Sequence, residues 1–350
     1  MHPLFQSIQL KEELQAKVET FCHQWENGQE MSIRTSGSTG KPKDITFTKE
    51  QFITSAQKTI AFFELKPETK ALLCLSPDTI GGKMMLVRAL VGNYSLLITN
   101  PSLDPFEHIE EQIDFVALVP AQLAHIFQNP ASLSKLKKVK YILIGGADIP
   151  EVLCEQLRAH ELSAYQSYGM TETISHVALR IIGQESDYHA LPGIHFTSEN
   201  DCLRIHYPEI HSTPIQTTDV VELIDEHTFR WKGRSDFAIN SGGKKIHPEE
   251  LEKRLSSFIA GRFILSSIPH PVWGEALVLL SEEPITLQKS ALLSSFSNAE
   301  IPKFAQTVTM IMTENGKIQR KLTLEQAKED ALIRTPSVTR QVLINFYAIY

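Results

Sequence analysis

Thr35-Ser36-Gly37-Ser38-Thr39-Gly40-Lys41-Pro42-Lys43 packs two glycines, four hydroxyls and two lysines into nine residues. Such a run suits a loop that wraps phosphates. Glycine lets backbone N–H groups approach an anion, hydroxyls donate hydrogen bonds, and lysine supplies charge. The Gly-x4-Gly-Lys-Ser/Thr loop is excluded, because Pro42 stands five residues after Gly37 and denies a helix entered directly from Lys41. A second cluster, Tyr168-Gly169-Met170-Thr171-Glu172, follows the strand expected over Ser163 to Ser167. Open α/β sheets receive ligands at such a turn, at the carboxyl end of a strand. Thr171 can donate to a phosphate, and Glu172 can hold Mg²⁺, a hard ion that takes oxygen ligands. Asp219 can accept both hydroxyls of a ribose, and Arg234 can add a ribose or phosphate contact. Asn315-Gly316 signals a hairpin turn, with Lys317 next to it. Taken singly, each has a plain structural alternative: a surface turn, a solvated glutamate, a strand-end aspartate, a hairpin lysine.

These residues need elements to hold them. From residue 71 short apolar runs alternate with helical patterns, which predicts a helix-covered, mostly parallel sheet in an α/β domain. Strands are expected over Ala71 to Leu75, Leu96 to Thr99, Phe115 to Val119 and Tyr141 to Ile144, and helices over Lys83 to Val91 and Ala121 to Phe127. Residues 4 to 28 read as one amphipathic helix, and Asp148 as the cap of a helix from Ile149 to about His160. Residues 202 to 232 read as short strands separated by prolines and acidic turns. A boundary at Arg234 to Asp236 divides residues 1–235 from a smaller α+β domain, 236–350. That domain has strands over Phe237 to Asn240, Phe263 to Ile268 and Ala276 to Leu280, and a helix opened by Pro248. Pro248 with Glu249 and Glu250 is a good helix start in itself, so that stretch reads as structural.

Composition narrows the class. Hydrophobic residues are 42% and charged residues 21%, and 34 Lys and Arg against 41 Asp and Glu give a net charge of −7. A mildly acidic chain without a basic run is a poor nucleic-acid binder. No apolar run is long enough for a membrane span, since Arg88 interrupts Met84 to Leu90. The start lacks a signal-peptide stretch, and Cys22, Cys74, Cys154 and Cys202 are scattered, with no CxxC pair. A cytoplasmic protein with free, buried thiols and no zinc site is expected.

Together and in this order, the clusters resemble the adenylate-forming superfamily of acyl- and aryl-CoA ligases, luciferases and peptide-synthetase adenylation domains. The resemblance spans roughly residues 30 to 322. It implies a large amino-terminal domain and a small mobile carboxyl-terminal one, joined at a hinge matched by Asp236. By residue-wise match Thr35, Ser36, Gly37, Ser38, Thr39, Gly40 and Lys41 form the ATP phosphate loop, and Gly145, Gly146 and Ala147 line the nucleotide. Tyr168, with Gly169, lies near adenine; Thr171 and Glu172 take the phosphate and Mg²⁺ positions; Asp219 and Arg234 are the ribose ligands. Lys317 matches the lysine that bridges the reacting carboxylate and the α-phosphate. Gly242 and Gly243 match the turn that moves in for the CoA step. The implied co-substrates are a small carboxylic acid, ATP and coenzyme A, with Mg²⁺.

Ser241 to Glu252 looks like the acyl- and aryl-CoA ligase version of its motif, and no carrier-protein module follows. DTIGGKMMLVRAL and YGMTETISHVALR most resemble the shortened bacterial o-succinylbenzoate–CoA ligases of menaquinone synthesis. Such an acid keeps one carboxylate that is not activated and must be met by a cation or ordered water. Arg88, Lys83 and His176 are the candidates, with Arg180 beside them. The sequence departs from the family in three places. The phosphate loop begins at residue 35, where relatives usually carry a further subdomain first, so a trimmed acyl-side sheet or one completed by a partner in a homodimer is expected. Asp78-Thr79 replaces the usual aromatic or His, and Thr217-Thr218-Asp219 replaces Thr-Gly-Asp. Two alternatives stay open: a stand-alone adenylation enzyme feeding a carrier protein, and a non-catalytic nucleotide-binding protein.

Overall fold

The computed structural model describes residues 2–34, 44–259, 261–285, 294–313, 318–333 and 347–348. It is mixed α/β, and the chain forms two compact units. The first comprises Met1–Thr197, Arg204–Gln216 and Leu223–Arg230; the second comprises Ser198–Leu203, Thr217–Glu222 and Trp231–Tyr350.

In the first unit the strands Phe5–Ser7, Ser95–Ile98, Lys70–Leu73, Phe115–Leu118, Tyr141–Ile144 and Ala164–Gly169 lie side by side in that order, all parallel. Their near-continuous apolar runs fit a sheet covered on both faces; Phe115–Leu118 is buried along its whole length. His176–Ile181 and Tyr188–Ala190 continue the sheet antiparallel. Leu72, Val116, Leu118, Ile142 and Ile144 pack with Leu123, Ile126, Leu153 and Leu157 from covering helices into one core. Ile80–Gly92 is a helix whose start is capped by Thr79, with Oγ1 accepting from Gly82 N–H at 3.2 Å.

Three expectations are corrected. Residues 4 to 28 are not one helix: Phe5–Ser7 is an edge strand paired with Leu96 to Ile98, and the helix is Glu12–Asn27. Sheet pairing there overrides the helical spacing. Asp148 is not a cap, since the helix Glu151–Ala159 is preceded by Pro150 without a side-chain cap. The Asp148 carboxylate instead accepts from Gln166 Nε2 at 3.2 Å. Of the four thiols, all free, Cys74 and Cys154 are buried, whereas Cys22 and Cys202 are half-buried.

The second unit is α+β. Phe263–His270 pairs antiparallel with Gly274–Ser281 along eight residue pairs, and Phe304–Thr307 lies parallel on the other side. Side chains alternate between two small cores, as a pleated strand requires. Leu277 and Leu279 face Leu251 and Leu255 of the helix Pro248–Leu255, whereas Ala276, Val278 and Leu280 face Ala327 of the helix Arg320–Ile333. Between residues 202 and 234 three strands run: Cys202–His206, Ile215–Asp225 and Thr228–Arg234. Ile215–Asp225, at 11 residues, is longer than the short strands expected there. No described helix is long and apolar enough to cross a membrane.

Candidate functional site

The carboxyl ends of two neighbouring parallel strands carry most of those predicted nucleotide residues that the structure describes. Tyr141–Ile144 runs into Gly145, Gly146 and Ala147, and Gly145 N–H donates to Leu118 O at 3.0 Å. Ala164–Gly169 runs into Met170, Thr171 and Glu172. Ser167 Oγ donates to Ile144 O at 3.1 Å and ties the second strand to the first just below the Gly145 turn. The Tyr168 ring is half-buried and packs edge-on against Phe229, with centroids 5.0 Å apart. Gly169 is obligatory for steric reasons. A Cβ there would sit 2.5 Å from Ser175 O and 2.6 Å from His176 Cα, both backbone atoms that cannot swing away.

Thr171–Thr173 is a single 3-10 turn, and its pinning is dense. Thr173 Oγ1 meets Met170 N–H at 3.0 Å, Met170 O at 2.9 Å and Ser175 O at 2.7 Å. The main-chain carbonyl of Glu172 lies 2.6 Å from His211 Nε2, a contact that does not use the Glu172 carboxylate. That carboxylate has no ion pair among the described residues. No group of three or more His, Cys, Asp or Glu that could hold a metal occurs among the described residues either. One carboxylate oxygen with the remaining positions left for phosphate and water suits Mg²⁺, which resists full dehydration. Directly after the turn, Ile174 is fully buried at φ +63 and ψ −47. A β-branched residue avoids that region, and strain of about 1–3 kcal/mol persists only where the surroundings enforce it.

The three acid candidates separate. Arg88, on the helix Ile80–Gly92, is 2% exposed. Its Nη2 donates to Ser175 Oγ at 2.6 Å, its Nε is buried without a partner, and no carboxylate pairs with it among the described residues. Burial pushes this guanidinium down to about 10. His176 is buried between Ser175 Oγ at 3.3 Å and Thr59 Oγ1 at 3.2 Å. Burial, with the Arg88 charge, holds its pKa well below the ordinary imidazole value, so the ring is neutral. Lys83 is half-buried, donates to Ser32 O at 3.2 Å, and has its pKa lowered by burial. It lines a groove of about 710 Å³ together with Met31, Phe21 and Asp78. Asp78 is engaged by Lys17 at 2.9 Å. Arg180 is committed to Gln166 Oε1 at 2.9 Å.

In the second unit Asp219 is buried and accepts from Trp231 Nε1 at 3.1 Å. Arg234 Nη2 donates to Asp236 at 2.7 Å. Burial opposes its charge, but Asp236, with Asp219 and Glu249 nearby, more than offsets this and raises its pKa. Gly242 and Gly243, at φ +59 and +79, form the two-residue turn between Ile239–Ser241 and Lys244–Ile246. Of the acids after Pro248, Glu250 meets Lys232 at 3.3 Å and Glu252 grips Arg320 at 2.5 and 2.6 Å, whereas Glu249 Oε2 is buried without a hydrogen-bond partner among the described residues. Thr35 to Lys43 and Lys317 lie outside the described residues. The strands Glu30–Arg34 and Asp44–Thr48 pair antiparallel on either side of the first, and Met312 bridges Ile318 on either side of the second.

Among the residues of these networks not singled out from sequence are Ser175, Thr59, Thr173, His211 and Trp231. Thr173 and Ser175 were the nearest to legible, one and three residues from Glu172. Thr59 and His211 lie 117 and 39 residues from their partners, so only the fold pairs them.

Comparison with known proteins gives the class. Residues 31–198 match the family of AMP-binding enzymes. A solved acyl-CoA synthetase (AMP-forming)/AMP-acid ligase II-like protein of Dyadobacter fermentans is 33% identical, with a TM-score of 0.62, covering 91% of this chain and 96% of its own. The chain therefore belongs to the adenylate-forming, AMP-binding superfamily of acid–CoA ligases. The 2-succinylbenzoate–CoA ligase of Staphylococcus epidermidis is 25% identical over 82% of this chain and 68% of its own length. A solved O-succinylbenzoate coenzyme A synthetase of Bacillus subtilis, in complex with ATP and magnesium ion, shares the fold at a TM-score of 0.72. Its identity is 20%, covering 84% of this chain and 69% of that one. This chain spans 51% of the length of the Escherichia coli 2-succinylbenzoate–CoA ligase and 70% of that of Listeria monocytogenes.

Proposed function

We propose that the chain is an ATP-dependent acid–CoA ligase that converts o-succinylbenzoate, through its acyl-adenylate, to o-succinylbenzoyl-CoA in menaquinone biosynthesis. The observation that carries the reading is the pair of turns Gly145–Ala147 and Thr171–Glu172 at the ends of adjacent parallel strands, with a buried cation, Arg88, beneath the second that has no carboxylate partner among the described residues. The names of the curated relatives support the acid.

In this reading Thr35 to Lys41 wrap the ATP phosphates, Thr171 donates to one of them, and Asp219 and Arg234 hold the ribose. Glu172 would hold Mg²⁺, which supplies charge neutralisation at the phosphates. Two anions must approach when the acid attacks the α-phosphate, so the ammonium of Lys317 is placed between them. Pyrophosphate leaves, and the CoA thiol then attacks the acyl-adenylate and releases AMP. Residues 236–350 are proposed to reorient about Asp236 between the two steps, withdrawing Lys317 and bringing in Gly242 and Gly243.

The test is ATP–pyrophosphate exchange across a panel of acids, followed by mass detection of the product with CoA. Exchange with o-succinylbenzoate and a CoA thioester are expected. Exchange with no thioester when free CoA is supplied would favour a carrier protein as acceptor. No exchange with any acid would leave a non-catalytic nucleotide-binding protein.

The hinge carries its own expected outcome. Asp236→Pro fixes φ at the turn Ser235–Phe237 and should lower thioester formation while adenylation survives. The Asp236 carboxylate also braces Arg234, so Asp236→Ala is the control. Asp236→Ala should raise KM for ATP without changing the ratio of the two half-reactions. Full overall turnover in Asp236→Pro would move the hinge elsewhere, with Gly233 the next position to test.

A further inference from the structure

Ser175 lies between two things the proposed reaction needs at once. On one side is the charged end of a buried polar chain, Arg88, and on the other the turn that carries Thr171 and Glu172. The direction of the hydrogen bonds follows from chemistry. A guanidinium only donates, so Ser175 Oγ must accept from Arg88 Nη2 at 2.6 Å. Its own hydrogen is then free for His176 Nδ1 at 3.3 Å, and the neutral ring carries its hydrogen on Nε2, facing Thr59 Oγ1 at 3.2 Å. The same residue's carbonyl accepts from Thr173 Oγ1 at 2.7 Å, and Thr173 closes the turn around Glu172. Ile174, linking Thr173 to Ser175, is the strained residue at φ +63. The strain is held from both ends: by Thr173 in the turn and by Ser175 on Arg88.

We infer that Ser175 is a positioning residue that couples recognition of the acid's second carboxylate at Arg88 to the geometry of the Thr171–Glu172 turn, so that a dicarboxylic acid and Mg·ATP each bind more tightly when the other is present. The inference rests on the proposed roles of Arg88 and Glu172. An anion at Arg88 fixes the guanidinium, the fixed guanidinium fixes Ser175, and Ser175 fixes the strained connection to the turn. The coupling is reciprocal, because it is a single free energy shared by two sites.

The measurement is equilibrium titration with o-succinylbenzoate and with 4-oxo-4-phenylbutanoate, which lacks the ring carboxylate. Each titration is run with and without magnesium and α,β-methylene ATP, in the wild type, Ser175→Ala, Ser175→Thr and Arg88→Ala. In the wild type the dicarboxylate should gain roughly 5- to 150-fold in affinity when the nucleotide is present, the usual range for coupled sites. The monocarboxylate should gain little. Ser175→Ala should bring the dicarboxylate's gain close to one, and Ser175→Thr, which keeps the acceptor, should restore most of it. A residue that merely supports packing would weaken binding without changing the ratio, and thermal melting of each variant identifies any that fails to fold. Coupling that survives in Ser175→Ala, or is absent from the wild type, overturns the inference and leaves the proposed reaction standing. Dicarboxylate binding that is absent from the wild type, or untouched by Arg88→Ala, overturns the reading on which it rests.

Discussion

Lys317→Ala should lose adenylation by on the order of 10²- to 10³-fold, the scale expected when one preorganised charge donor is removed from a developing anionic transition state. Thioester formation from supplied acyl-adenylate should change far less, because the lysine is proposed to serve only the step in which carboxylate meets α-phosphate. ATP–pyrophosphate exchange reads the first half-reaction and CoA-dependent release of AMP from acyl-adenylate reads the second. Neighbouring residues make the variant a clean one. Both sides of the segment are held without the Lys317 side chain: Met312 bridges Ile318, Gln319 N–H donates to Ile311 O at 2.8 Å, and Arg320 is gripped by Glu252. Loss of both half-reactions in equal measure would sink the division of labour between two arrangements of the small domain.

The parallel sheet was legible because both of its faces are covered. Phe115 to Leu118 and Tyr141 to Ile144 are apolar without alternation, bounded by turn residues, and they appear as strands within a residue of where the pattern put them. Phe5–Ser7 was not legible, since a three-residue edge strand leaves too short a pattern to compete with the helical spacing that follows it. Asp148 failed as a cap for a different reason. A Ser, Asp or Asn before an apolar run signals a cap only if no stronger partner exists, and here Gln166, 18 residues on, supplies one. The turn residues Gly145 and Gly169 could be read from their type and place, but what surrounds them could not. Ser175, Thr59 and His211 are ordinary polar residues until the sheet and the helices Lys49–Phe62 and Ile80–Gly92 bring them to their partners. Arg88 shows both sides of this. Its place within an apolar helix marked it as unusual, yet only the structure shows it 2% exposed, bonded to Ser175 and with no acidic partner among the described residues.

That buried cation sets the remaining expectation. An unpaired guanidinium in a protein interior is costly, and an arriving carboxylate offsets the cost by supplying the missing partner. Arg88→Ala should therefore reduce kcat/KM for o-succinylbenzoate by about 30- to 4000-fold, equivalent to about 2–5 kcal/mol for a desolvated charge-assisted contact. The loss should be selective. An acid without the ring carboxylate has nothing to pair with Arg88 and should change little. Arg88→Lys should recover only part of the activity, because an ammonium on a flexible stem cannot reach Ser175 and the substrate in the planar geometry of a guanidinium. Comparing kcat/KM for both acids in the wild type and the two variants separates recognition from support. Equal loss for the two acids would make Arg88 a support for Ser175 alone. Lys83 would then be the cation to vary next, because it lines a groove with Asp78 already engaged by Lys17 and no carboxylate paired with its own ammonium among the described residues.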